Sequence, residues 1–201
     1  MEMSKMSNWQ WKGQLLHNLQ RLVQGNEPPR VAVMGVGNEL KGDDALGVQI
    51  ARRLGPRAQT SERLCVMEAG LAPENFCGAL RRFKPDLVLL IDAAQMDEPP
   101  GMIKVVDLDT AAHVGISTHS PSFHMLVGYL EVELGCEFIV LGIQAADLSY
   151  GATLSPPVKE AVDTVADKLA DMLVPILRER SDSHGQDIES RANILNEMEF
   201  E

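Results

Sequence analysis

Three short apolar runs constrain this chain more than any other feature in it. "VAVMGVG" at 31–37, "LVLLIDA" at 87–93 and "FIVLGI" at 138–143 are almost continuously hydrophobic, with no alternation of polar positions. Strands of that kind are buried on both faces, as in a parallel sheet covered by helices above and below. "RLCVMEA" at 63–69 reads as a fourth strand, and "MIKVVDL" at 102–108 as a fifth, more exposed one.

Helical patterns separate these runs. "DALGVQIARRL" at 44–54 begins on an aspartate suited to capping and carries arginines in its last turns, which favours both ends of the helix dipole. "PENFCGALRRF" at 73–83 opens with proline and glutamate; residues 120–133 form a third helix. A fourth spans 157–174, where Val158, Val162, Val165, Leu169 and Leu173 make one stripe and Pro175 is expected to kink or end it. The alternation predicts an α/β three-layer sandwich with a central, mostly parallel five-stranded sheet and helices on both faces.

Outside that domain, at 31–178, lie two extensions. Residues 1–30 hold a helix with Trp11, Leu15, Leu19 and Leu22 at helical spacing, closed by "GNEPPR", and residues 179–201 form an acidic polar tail. The leading helix has an apolar face to dock on the core or on a partner.

Composition excludes several classes. A net charge of −11 with no Lys/Arg cluster argues against nucleic acid as a partner. No window approaches the roughly 18 consecutive apolar residues of a membrane span, and the amino end lacks a signal-peptide layout, so the cytoplasm is the expected compartment. Cys65, Cys77 and Cys136 form no CxxC pair and are expected as buried free thiols.

The turn after the first strand, "GVGNELKGDD", superficially matches a phosphate cradle. The third glycine of a dinucleotide fingerprint would fall on Leu40, and Lys41 precedes Gly42 without the Gly-Lys-Ser/Thr of a phosphate loop. Asp43 and Asp44 also crowd the turn with negative charge, so it should attract a cation instead.

Ligands of open parallel sheets gather outside the carboxyl ends of the strands. Asp44 follows the first such end, and Asp92 ends the run "LVLLID", where a carboxylate needs a donor or a metal. His119 lies in the polar turn "GISTHSPSF" before a helix. Together the three offer two oxygens and one nitrogen to a divalent ion while leaving coordination positions open. Each also has a bland reading: a helix cap for Asp44, a capped turn or buried hydrogen-bond acceptor for Asp92, an exposed or hydrogen-bonding residue for His119. Glu68 and Asp147 could add acceptors behind the ligands, or be an exposed strand end and a turn residue. His17 reads as solvent-facing, His113 as an exposed loop residue that could approach the rim, and His184 as part of the polar tail. Ser117 and Ser120 do not establish a nucleophile, and no HExxH motif supports a resident zinc.

"GVGNELKGDDALGV" at 35–48, "EAGLAPEN" at 68–75, "LLIDAAQM" at 89–96, "STHS" at 117–120 and "FIVLGIQ" at 138–144, in that order, resemble the nickel-iron hydrogenase maturation endopeptidases. The similarity is greater to the branch acting on formate-hydrogenlyase-type or energy-converting hydrogenases, and covers residues 31–174. It implies a compact α/β protease that removes a carboxyl-terminal extension from a hydrogenase large-subunit precursor after nickel insertion. The family's metal-binding acids fall on Asp44 and Asp92 and its histidine on His119, with nickel presented by the substrate and no nucleotide required. Where the family often has aspartate and two glycines, this chain has Glu68, Ala69 and Gly70.

Two chemical routes stay open: a cation that polarises the scissile carbonyl or activates water, or nickel as a docking point with a carboxylate as base. A nonenzymatic nickel-site checkpoint or maturation chaperone would use the same ligands without cutting. A nucleotide-binding domain would require saturable binding at the glycine-rich turn.

Overall fold

The computed structural model describes residues 10–23, 27–106, 115–116 and 121–177. In chain order these form α1 (Gln10–Val23), β1 (Val31–Val36), α2 (Leu46–Ala58), β2 (Leu64–Gly70), α3 (Cys77–Phe83) and β3 (Leu87–Gln95). There follow β4 (Ile103–Val106), β5 (Gly115–Ile116), α4 (Pro121–Leu134), β6 (Glu137–Gln144) and α5 (Pro156–Leu177). Short 3-10 turns at Gly42–Ala45 and Pro73–Phe76 lead into α2 and α3.

The sheet has the order β2-β1-β3-β6-β4. Its first four strands run parallel, and β4 closes one edge antiparallel to β6. The five strands and two helical layers are those the apolar runs call for. The two-residue β5 is an addition that periodicity could not reveal. It exists because β3 outruns β1: their pairing stops at Gly35 and Ile91, and β5 takes up β3 further along, at Ala94 and Gln95.

Burial follows strand position. Every residue of β1 and all but the last of β3 are buried, whereas β2 and β4 at the edges are only partly so. On β3, Leu87, Leu89, Ile91 and Ala93 join a cluster with α1, α2 and α5, while Val88, Leu90 and Ala94 join one with α3 and α4. By the same alternation Asp92 belongs to the second face.

The expected stripe of α5 is fully buried from Val158 through Leu173. Truncating one such residue, Leu169→Ala, would cost about 2–5 kcal/mol through lost transfer energy and a residual cavity. The leading helix packs on the core through Trp11, Leu15, Leu16, Leu19 and Val23. His17 faces solvent.

Two local expectations are corrected. Of the two outcomes expected at Pro175, a kink or an end, the end does not occur: the helix continues through it to Leu177, with Leu173, Ile176 and Leu177 buried, so packing outweighs the lost hydrogen bond. The cysteines are free, but only Cys136 is buried; Cys65 and Cys77 are half-buried. No helix among the described residues is long and apolar enough to cross a membrane.

Candidate functional site at the carboxyl edge of the sheet

The chain turns away from β1 through a left-handed step at Gly37, with φ of 133°. A Cβ there would lie 1.7 Å from the Asp44 carbonyl oxygen, so only glycine lets the turn fold back this tightly. One turn later the α2 backbone rests directly on the strand ends. A Cβ on Gly47 would sit 2.3 Å from the carbonyl oxygens of both Val36 and Ile91. This contact seats the Gly42–Ala45 turn over β1 and β3, and the turn touches β3. The chain winds from β1 to β2 on one side and then crosses back to β3 on the other, which makes the gap between β1 and β3 the switch point of the sheet, where ligands of α/β folds gather.

Asp43 and Asp44 are both buried in that turn and do different things. The Asp43 carboxylate accepts from the backbone N–H groups of Ala146 (2.8 Å), Asp147 (2.9 Å) and Ser155 (2.6 Å), and from the Ser155 hydroxyl (2.9 Å). Its own N–H donates to the Asp147 carbonyl at 2.8 Å. Asp43 thus fastens the first loop to the one after β6. Sequence reasoning gave it no such role, because its partners lie more than a hundred residues away.

Asp44 is not a helix cap. The cap position of α2 is Ala45, and no side-chain hydrogen bond closes that end. Instead Asp44 Oδ2 accepts from the Asn38 N–H at 3.2 Å, while Oδ1 is buried with no hydrogen-bond partner among the described residues. A buried carboxylate oxygen left in that state costs on the order of 1–3 kcal/mol, which an arriving cation would recover.

Asp92 is completely buried, and its Oδ1 accepts from the Ala93 N–H at 2.8 Å. It lies one residue past the last β1–β3 pair and two before the β3–β5 pair, in the gap between those pairings. The structure therefore brings Asp44 and Asp92 to one edge, on the turn after β1 and on β3 itself. His119 lies outside the described residues, as do His113 and His184. The flanks of the His119 segment are Ile116, paired with Ala94, and Pro121, the first residue of α4.

Glu68 and Asp147 are exposed at the rim and engaged elsewhere. Arg52 donates to Glu68 through Nη2 at 2.7 Å and to Glu39 through Nη1 at 2.7 Å, tying the loop after β1 to the end of β2. Those hydrogen bonds hold the Glu39 carboxyl below its ordinary range and raise the Arg52 guanidinium above its own. Asp147 is the turn residue of its simpler reading: Oδ1 accepts from the Ser149 N–H at 2.8 Å, and hydrogen bonding to Ser149 lowers its pKa.

Gln144 was also missed as a positioning group. Buried at the end of β6, its Oε1 accepts from the N–H groups of Met96 (2.7 Å) and Glu98 (3.3 Å), shaping the exit of β3. A polar side chain ending an otherwise apolar strand was the available signal.

Among the described residues no group of three or more His, Cys, Asp or Glu side chains is placed to hold a metal ion. The edge instead holds two buried carboxylates, Asp44 and Asp92, one oxygen of Asp44 being without a hydrogen-bond partner among the described residues.

Comparison with known proteins points the same way. The family described as "HycI: Hydrogenase maturation protease" matches residues 48–172. The hydrogenase 3 maturation protease of Escherichia coli K12 is 34% identical over 135 residues, spanning 67% of this chain and 85% of that protein. Among solved structures, the [NiFe] hydrogenase maturation protease HycI of Thermococcus kodakarensis superposes with a TM-score of 0.66 at 28% identity, covering 76% of this chain and 96% of its own. The endopeptidase HycI of Escherichia coli gives 0.63 at 29% identity, covering 77% and 99%.

Proposed function

The chain belongs to the hydrogenase maturation protease family, and from that premise we propose that it removes the carboxyl-terminal extension of a nickel-loaded nickel-iron hydrogenase large-subunit precursor. Asp44 carries the reading: its buried Oδ1 lacks a partner among the described residues, at the edge where Asp92 also lies. Asp43 and Asp44 in the turn, with Asp92 on β3, make this edge negative, which repels an anionic nucleotide and suits a divalent cation.

In this reading the substrate supplies the metal. Asp44 and Asp92 hold it through carboxylate oxygens and His119 through an imidazole nitrogen, which leaves positions for the precursor's own ligands. Nickel held there can polarise the scissile carbonyl or acidify a water. Either carboxylate can orient that water for attack on the carbonyl carbon. The C–N bond then breaks, and the released amine takes the proton. Recognition of the metal thereby becomes a condition of cleavage, which restricts hydrolysis to finished precursor.

The test uses purified protein with nickel-loaded and nickel-free precursor and follows product mass. Shortening of the nickel-loaded form alone is expected. Specific binding with no loss of mass would replace the protease with a checkpoint or chaperone at the same edge.

A further inference from the structure

Among the described residues five large apolar side chains stand exposed: Leu40, Leu71, Val132, Leu148 and Tyr150. Single exposed apolar residues are ordinary. Four of these five, however, sit on loops leaving the carboxyl ends of β1, β2 and β6, the edge that carries Asp44 and Asp92. Val132 is the exception, near the end of α4, which leads to the amino end of β6.

The loops bearing the four residues form one hydrogen-bonded platform. The Gly37 N–H donates to the Gly70 carbonyl at 3.0 Å, joining the first two loops, and the Gly151 N–H donates to the Leu40 carbonyl at 2.7 Å, joining the first to the last. The Asp43 carboxylate reinforces the second junction. Leu71 and Tyr150 are the most exposed of the four, at 72% and 75%. β2 and β6 are three strand spacings apart, so the platform spans about 14 Å. That is the width of a protein face rather than of a small ligand.

We infer that Leu40, Leu71, Leu148 and Tyr150 form an apolar collar that docks the folded body of the hydrogenase precursor around its metal site. This rests on the protease reading above and adds the surface that recognises the substrate protein. Continuity identifies the occupant: Leu40 lies four residues before Asp44 in the same loop, so a protein delivering a cation to Asp44 covers Leu40 as well. The nearby acids favour the same occupant, since Glu39 and Glu68 share Arg52 and bring less unpaired charge to an apolar contact. Because the loops are already fixed to one another, little ordering is required on docking.

The test is Leu71→Ser and Tyr150→Ser, singly and combined, with Val132→Ser as control. Precursor binding and the kinetics of cleavage are both measured. The combined variant should raise KM about tenfold with kcat unchanged, because docking is shared by ground state and transition state; Val132→Ser should change neither. Cleavage by the combined variant at wild-type KM overturns the collar and leaves the protease standing. Precursor bound by wild type, released by the combined variant and never cut upholds the collar and overturns the protease. Neither binding nor cutting by wild type overturns both. Self-association lost in the combined variant, with KM unchanged, places a second copy of this chain on the collar instead.

Discussion

Asp43 and Asp44 are neighbours in sequence with opposite surroundings: the Asp43 carboxylate accepts four hydrogen bonds, whereas Asp44 accepts from Asn38 alone and leaves Oδ1 without a partner among the described residues. The 3-10 geometry explains the split. At about three residues per turn, successive side chains diverge by roughly 120°. One acid therefore faces the loop after β6 and the other the strand ends.

Removal of Asp44 should separate function from stability. Asp44→Ala is expected to lose precursor cleavage while melting at or above the wild-type temperature, because it deletes a buried, under-bonded carboxylate. Asp92→Ala and His119→Gln should likewise lose cleavage while remaining folded. Thermal melts beside cleavage assays check this. Wild-type rates in the three folded variants would remove them from the site.

Asp43→Ala should behave in the opposite way. Three backbone N–H groups and one hydroxyl lose their acceptor, at an expected cost of about 3 kcal/mol or more. Denaturant unfolding reads that loss. An unchanged midpoint would mean that the two loops are held together by something else.

Gly37→Ala removes no candidate ligand, yet should inactivate. Its Cβ would meet the Asp44 carbonyl oxygen at 1.7 Å in a backbone with φ of 133°. Relief requires the turn to move, at an expected cost of about 2–4 kcal/mol, carrying Asp44 with it. Activity and unfolding free energy should fall together.

Acid stability should carry a small contribution from the Glu39–Arg52 contact. The hydrogen bond from Arg52 keeps Glu39 below its ordinary 4.5, so its stabilisation is present above pH 4.5 and is lost as pH falls through the lower folded value. Both side chains are nearly half exposed, which limits the effect to under ~1 kcal/mol. Arg52→Gln should flatten that part of a stability-versus-pH profile.

Burial pushes the Cys136 thiol from 9.0 up to about 11, so it should resist alkylation at pH 8 until the protein unfolds. The folded state favours the neutral thiol. Its contribution to stability is therefore present below pH 9 and is lost as pH rises towards 11. Rapid labelling of Cys136 in folded protein would contradict this.

The sequence by itself determined the layered fold and the identity of the acids at its edge. Uninterrupted apolar runs can be satisfied only between two helical layers, and Asp44 and Asp92 follow the apolar stretches of two such runs, although Asp92 stays buried within β3. The helical spacing of Trp11, Leu15 and Leu19 likewise announced an apolar face, although not the surface that receives it. Only the tertiary structure decided that α1 folds onto the core, that β5 fills the edge β1 leaves open, and that Asp43 is an anchor while Asp44 keeps an unused oxygen. Each of those outcomes depends on partners distant in the chain, as with Asp43 and Ser155, 112 residues apart. Local periodicity records which face is buried; the pairing of buried polar atoms is fixed only when the loops meet.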